Sequence, residues 1–398
     1  MSRKQISNLQ SISNKPVRNI IGLMSGTSMD GLDIAVCQVS GTGRNTSVNV
    51  KYFETVVYES SLKDKIFRIF AKKDIDFVHL CQLHAFLGTF YASNIIRILR
   101  YLNIQPSDID LIASHGQTVQ HVPQHSLFYP FPSTFQIADG DHIAQKTGII
   151  TLSDFRQKHI AAGGEGAPLA MYGDILLFSG TKTDRILLNL GGISNFTYLP
   201  VTSKMISTTD TGPANTLIDQ YCQKYLNISF DHNGDIAQRG KIIPELLHSL
   251  KKHDFFNQEI PKSTGQEMFN LLWVEKIISE TKMPLTEPED IISTLTQLTV
   301  DTVVEAVIKL TGNTKTNIEM FVSGGGAHNK TMMNRMSAQL SGVTIKPFED
   351  LGIHPDAKEA VLFAVLANEC IAGDFSLLEE SLPPNMPKVS FGKISLPG

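Results

Sequence analysis

Gly22-Leu23-Met24-Ser25-Gly26-Thr27-Ser28-Met29-Asp30-Gly31 is the stretch on which the reading of this chain turns. It leaves an apolar run at residues 20–23 and enters another at 32–39, which predicts a β-hairpin around a wide glycine-containing loop. Glycine lets a backbone approach phosphate oxygens closely and present several N–H groups at once. Two more turns of this kind follow apolar runs: Gly191-Gly192 after residues 186–190, and Gly324-Gly325-Gly326 after Phe321-Val322. One such turn says little. Three, spread over two halves of the chain, predict two α/β lobes closing on one polyphosphate, and so a nucleotide-dependent phosphotransferase.

Outward from these turns the pattern alternates between strands and helices. The first half reads as a strand at 48–58, a helix at 77–102 and a short buried strand at 110–113 ending at Ser114-His115-Gly116-Gln117-Thr118. A strand at 135–137, a helix at 141–147 and a strand at 148–152 continue it. The second half restarts with strands at 185–190 and 194–199, then helices at 214–226, 242–252 and 290–310. A strand at 318–322, a helix at 329–340, a strand at 343–347 and an amphipathic helix at 357–372 close it. The two hairpin-plus-glycine starts look like one unit used twice. The polar stretch 179–184 marks the expected boundary, giving a flexible leader at 1–18, an N-terminal lobe at 19–182 and a C-terminal lobe at 183–398. The last helix is placed to pack back on the first lobe.

With 398 residues, two domains are expected. A net charge of −4 gives no electrostatic reason to expect nucleic acid or an anionic membrane. Cys37, Cys81, Cys222 and Cys370 form no Cys-x-x-Cys pair, so reduced thiols are a simpler reading than zinc or disulfides. The polar leader lacks the apolar core of a signal peptide, and no apolar run reaches the roughly 18 residues of a membrane span, which predicts a cytoplasmic protein. Neither a Gly-x-x-x-x-Gly-Lys-Ser/Thr loop nor a Gly-x-Gly-x-x-Gly turn is present, which demotes P-loop and Rossmann enzymes.

The first turn offers hydroxyls at Ser25, Thr27 and Ser28, backbone N–H groups, and a carboxylate at Asp30 suited to a metal-bound water. That mixture suits a nucleoside triphosphate with magnesium; it also suits a plain hairpin loop. Asp210, in Asp210-Thr211-Gly212-Pro213-Ala214-Asn215, follows a polar strand-like stretch and stands before a helix. It is either a carboxylate held in a cleft or an N-cap or turn aspartate. Asp154-Phe155-Arg156 and the loop from Ala161 to Pro168 read as a lid, a sugar-contacting segment or a long interdomain connection. His115, His121 and His125 surround Pro123 in a loop-like setting that argues against a rigid metal set; His115 with Gln117 reads better as a hydrogen-bonding pair near substrate.

These motifs, with Gly163-Gly164-Glu165-Gly166-Ala167-Pro168-Leu169, Asn189-Leu190-Gly191-Gly192-Ile193-Ser194-Asn195, Lys262-Ser263-Thr264-Gly265 and Gly324-Gly325-Gly326-Ala327-His328-Asn329, resemble the anhydro-N-acetylmuramic acid kinases over residues 19–372. The resemblance implies a two-lobed actin-like ATPase (ribonuclease H-like) α/β fold with an interdomain ATP cleft, a homodimer, and use of ATP and Mg2+. It implies phosphorylation of O6 of a 1,6-anhydro amino sugar while water opens the ring, in bacterial cell-wall recycling. By position, Asp210 matches the general base and Glu359 a carboxylate holding the sugar. Ser25, Gly26, Thr27, Ser28, Met29, Asp30, Gly31 and Leu32 match the ATP phosphate segment, Gly191 and Gly192 the second phosphate loop, and Gly324, Gly325 and Gly326 the adenosine side. His115, Gln117, Arg156, Gln157 and Asn215 are carried as substrate-binding positions.

Two departures bear on the acceptor. Gln157 stands where the family has an arginine, within Gln157-Lys158-His159, and Glu165 stands where it usually has glutamine. Both weaken the case for a carboxylate-bearing sugar and raise an uncharged anhydro sugar of the levoglucosan type as an alternative. A non-catalytic ATP-binding clamp and an ordinary sugar kinase are the competing classes. A base at Asp210 argues against the clamp.

Overall fold

The computed structural model describes residues 2–122, 132–167, 169–180, 182–201, 206–265, 267–281, 286–312, 317–374 and 387–398. It divides into two compact units, Met1–Phe178 together with Asp356–Gly398, and Ser179–Pro355.

In the first unit β1 (Val17–Ser25), β2 (Gly31–Ser40) and β3 (Ser47–Val57) form an antiparallel meander. On the other side of β1, β4 (Leu111–Val122) adds in parallel, and after β5 (Ser133–Ile137), which pairs with the far part of β4, β6 (Thr151–Ser153) adds in parallel to β4. The second unit repeats this order. There β7 (Asp184–Leu190), β8 (Ile193–Leu199) and β9 (Ser207–Pro213) make the meander, and β10 (Ile318–Ser323) and β11 (Val343–Pro347) add in parallel beyond β7. Three antiparallel strands with two parallel ones added to the first is the sheet of the actin-like ATPase (ribonuclease H-like) fold, here present twice. From the chain's end, β12 (Lys393–Ser395) pairs antiparallel with β6.

β1 is central in its sheet and buried over most of its length, which is why it reads as an apolar run. The helix Phe77–Tyr101 starts where the Asp76 carboxylate accepts the N–H groups of Val78 and His79. Its Leu83, Leu87, Tyr91 and Ile95 join Leu23, Leu32 and Ile34 in the first core. The helix Lys358–Ala372 packs on β1, β2 and β4. It was expected to be amphipathic, but residues 360–369 are all buried. A Cβ on Gly22 would lie 1.9 Å from the Ala360 carbonyl oxygen, so glycine is what lets strand and helix approach this closely.

Other expectations are corrected. Residues 3–13, read as leader, form the helix Arg3–Ser13, opened by a capping box between Ser2 and Gln5. The short strand at 110–113 is part of the longer β4, so Ser114 to Thr118 lie within a strand. The helix at 214–226 is α-helical over Asn215–Tyr221 and π-helical over Cys222–Leu226. Pro288–Thr311 is long and apolar enough to cross a membrane by length and composition; 83% of its most apolar window is buried, with Ile292, Leu295, Leu298 and Val303 in the second core.

Candidate active site

The first glycine loop joins β1 to β2 and is held from beneath. Met29 takes a left-handed backbone (φ 57°), its N–H donates to the Gly26 carbonyl, and its side chain is buried in the first core. The Ser25 hydroxyl donates to Gln117 Oε1 at 2.6 Å and accepts from the Tyr58 hydroxyl at 2.9 Å, and Tyr58 in turn meets Tyr91 at 3.0 Å. Gln117 Nε2 donates back to the Gly26 carbonyl at 3.1 Å. Ser25 and Gln117 thus spend their polar atoms on the loop itself. Leu32 is internal, and a Cβ on Gly31 would stand 2.6 Å from the Val56 carbonyl oxygen. Thr27, Ser28 and Asp30 are exposed, with Gly26 partly so, which leaves two hydroxyls and one carboxylate facing outward.

A second cluster in the same unit centres on Arg156. The His115 ring is buried with both nitrogens engaged: Nδ1 donates to the Gly116 carbonyl at 2.9 Å, and Nε2 accepts from Arg156 Nε at 2.9 Å. Burial, reinforced by the guanidinium, pushes its pKa down to about 3, so it is neutral and fixed as one tautomer. Arg156 Nη1 also donates to the Gly166 carbonyl at 2.7 Å, while the Gly166 N–H donates to His159 Nδ1 at 2.9 Å. The loop carrying exposed Glu165 is therefore pinned from both sides at Gly166, whose φ of +78° suits glycine. Gln157 Nε2 donates to the Thr134 carbonyl at 2.5 Å. Glu359 lies in the first turn of the helix Lys358–Ala372 and is exposed. Desolvation of its carboxyl raises its pKa and Arg156 opposes the rise. Asp33, half-buried, is likewise raised, by burial first and then by the charges of Asp356 and Asp30. His125 and Pro123 lie outside the described residues.

In the second unit three motifs meet at one end of the sheet. Gly191 and Gly192 turn β7 into β8, and their carbonyls accept the N–H groups of Asn215 and Ala214. The Asn215 side chain donates to the Leu190 carbonyl at 2.9 Å. Gly324, Gly325 and Gly326 follow β10. Cβ atoms on Gly324 and Gly326 would come within 2.7 Å of the Leu190 carbonyl oxygen and 2.6 Å of Leu190 Cβ, so this close turn needs glycine. Beside it lies a cavity of about 500 Å3 whose lining includes Asn215, Asp219, Phe230, His232 and Gly325. Burial and the neighbouring Asp231 raise the Asp219 pKa to about 6.

Asp210 lies inside β9, and the N-cap of the following helix is Ala214, which removes the capping alternative. The pairing of β8 with β9 shifts register here, Ser194 facing Gly212 and Asn195 facing Asp210. The Asp210 N–H donates to the Lys262 carbonyl at 2.9 Å, and its Oδ2 accepts the Thr264 N–H at 2.8 Å. Burial raises its pKa and the Thr264 N–H opposes the rise. The half-buried carboxylate has one oxygen fixed by a backbone donor, and Oδ1 remains to take a proton. Sequence reasoning missed Tyr58, the cavity residues Asp219, Phe230 and His232, and the link from Asp210 to residues 262–264.

A sequence profile of the family described as "Anhydro-N-acetylmuramic acid kinase" matches residues 18–393. A protein named anhydro-N-acetylmuramic acid kinase from Pseudoalteromonas atlantica is 42% identical over 403 residues, covering 99% of each chain. A relative of that name from Pseudoalteromonas translucida is 42% identical over 98% of each chain. One from Caldanaerobacter subterraneus is 37% identical over 97% of this chain and 98% of its own.

Proposed function

The chain belongs to the anhydro-N-acetylmuramic acid kinase family, and we propose that it transfers the γ-phosphoryl group of ATP to O6 of 1,6-anhydro-N-acetylmuramic acid while water opens the anhydro ring. The products are N-acetylmuramate 6-phosphate and ADP, formed by a cytoplasmic homodimer in murein recycling. Asp210 Oδ1 takes a proton from the water that attacks C1. The C1–O6 bond breaks, its electrons stay on O6, and O6 attacks the γ-phosphorus as the ADP oxygen leaves. The turn at Gly26, with the outward Thr27 and Ser28 hydroxyls, and the turn at Gly191-Gly192 each offer donors suited to phosphate oxygens. The cavity beside Gly325 suits the nucleoside in size.

Magnesium usually keeps several waters and takes one or two carboxylates besides substrate phosphates. The exposed Asp30, with Asp33 close enough to feel its charge, fits that donor set. Bound there, the ion would neutralise phosphate charge.

The observation that carries this reading is the Asp210 carboxylate, oriented through one oxygen by Thr264 and free at the other. Asp210→Asn keeps the shape and removes the base. Turnover should fall below detection while calorimetry still finds ATP binding; near-normal turnover would contradict the role.

A second acceptor, an uncharged anhydro sugar, is supported by Gln157, which brings no charge and is bonded to Thr134, and by the exposed negative charge of Glu165. Gln157→Arg should shift relative kcat/KM toward the carboxylate-bearing sugar in a panel of anhydro sugars; an unchanged preference counts against this reading.

A further inference from the structure

Of Lys262-Ser263-Thr264-Gly265 only the Thr264 N–H enters the mechanism above, and a lysine in a kinase motif invites assignment to phosphate. Its contacts lead elsewhere. Lys262 Nζ donates to the carbonyls of Phe255 at 2.9 Å and Phe256 at 3.2 Å, in the short helix Asp254–Asn257, and stands 4.4 Å from the Phe255 ring centroid. An ammonium there donates to the Phe256 carbonyl, adds a second donor to the Phe255 carbonyl that already accepts the Gln258 N–H, and gains attraction from the ring face. The same residue's backbone is stitched to β9. Its N–H donates to Thr209 Oγ1 at 3.1 Å, and its carbonyl accepts the Asp210 N–H at 2.9 Å. Two residues on, the Thr264 N–H reaches Asp210 Oδ2.

We propose that Lys262 is a positioning residue: its ammonium anchors residues 262–264 to the helix Asp254–Asn257, and this segment aims the Asp210 carboxylate through the Thr264 N–H. Lys262 binds no phosphate in this arrangement. The inference rests on the reading of Asp210 as the base. Among the described residues the segment's hydrogen bonds reach Thr209, Asp210, Phe255, Phe256 and Met268 and none of the glycine turns, so its loosening changes the chemical step and leaves nucleotide affinity in place.

The test compares steady-state kinetics of Lys262→Met, Lys262→Arg and Asp210→Asn on the full chain, with ATP and 1,6-anhydro-N-acetylmuramic acid. Lys262→Met should lower kcat about 10- to 100-fold through misplacement of the base, with the KM for ATP within about twofold of the parent. Lys262→Arg, which can still donate to the two carbonyls, should recover most of the loss. A raised KM for ATP with kcat intact would make Lys262 a phosphate ligand and overturn the proposal, as would a kcat loss that arginine does not relieve. Should Lys262→Met fail to fold by circular dichroism, Thr264→Pro deletes the same N–H donor and must lower kcat alone; an unchanged kcat overturns the proposal. Normal turnover by Asp210→Asn would instead break the base assignment. An inactive Asp210→Asn beside a fully active Lys262→Met would break only this inference.

Discussion

In the proposed reaction the protonation of Asp210 sets the acid side of the pH dependence. Burial lifts the carboxyl above the ordinary aspartate value, so the basic form is lost at a higher pH than for an exposed aspartate as the solution is acidified. We expect kcat to fall on the acid side at a higher pH than an exposed aspartate would give. Glu359 is also raised, so the limb is assigned by Glu359→Gln, in which it should persist. Its disappearance in that variant would give the titration to Glu359. His115, held near 3, should add no limb of its own. The glycines of the site were legible because their neighbours exclude a Cβ: Gly324 and Gly326 sit against Leu190, and Gly31 against Val56. The aiming of Asp210 was not legible. It uses the N–H of Thr264 and the carbonyl of Lys262, groups that nearly every residue carries, contributed from far along the chain.

Elements whose burial is one-sided or complete could be read from apolar spacing; those defined by partners could not. The helix Phe77–Tyr101 and strand β1 follow their patterns closely. β9, with the sequence Ser-Thr-Thr-Asp-Thr-Gly-Pro, is a strand because β8 pairs with one edge and the Lys262 carbonyl takes the Asp210 N–H on the other. The helix Arg3–Ser13 hides in a polar segment because only Ile12 is buried and a capping box supplies the start. In the helix Lys358–Ala372 the apolar positions extend around the whole circumference, since the helix lies in the first unit's core. Its contact with β1 depends on one missing methyl group. Gly22→Ala places a Cβ on the Ala360 carbonyl and should destabilise the first unit by about 3 kcal/mol. Hydrogen exchange should then quicken in β1 and in Lys358–Ala372, and unchanged protection there would show that the approach has slack.

On the scale of the molecule, the chain uses one sheet order twice, and each copy places a glycine-bearing hairpin loop at the same point, between β1 and β2 and between β7 and β8. That duplication was visible in the sequence as two hairpin starts. In the proposed reaction phosphoryl transfer and ring opening are one event, with O6 freed by water activated at Asp210. Incubation with ATP, magnesium and 1,6-anhydro-N-acetylmuramic acid in 18O-labelled water tests it directly. One solvent oxygen at C1 of the phosphorylated sugar is expected for each ADP released. Phosphorylated product with its anhydro ring intact, or no ADP above background, would contradict it.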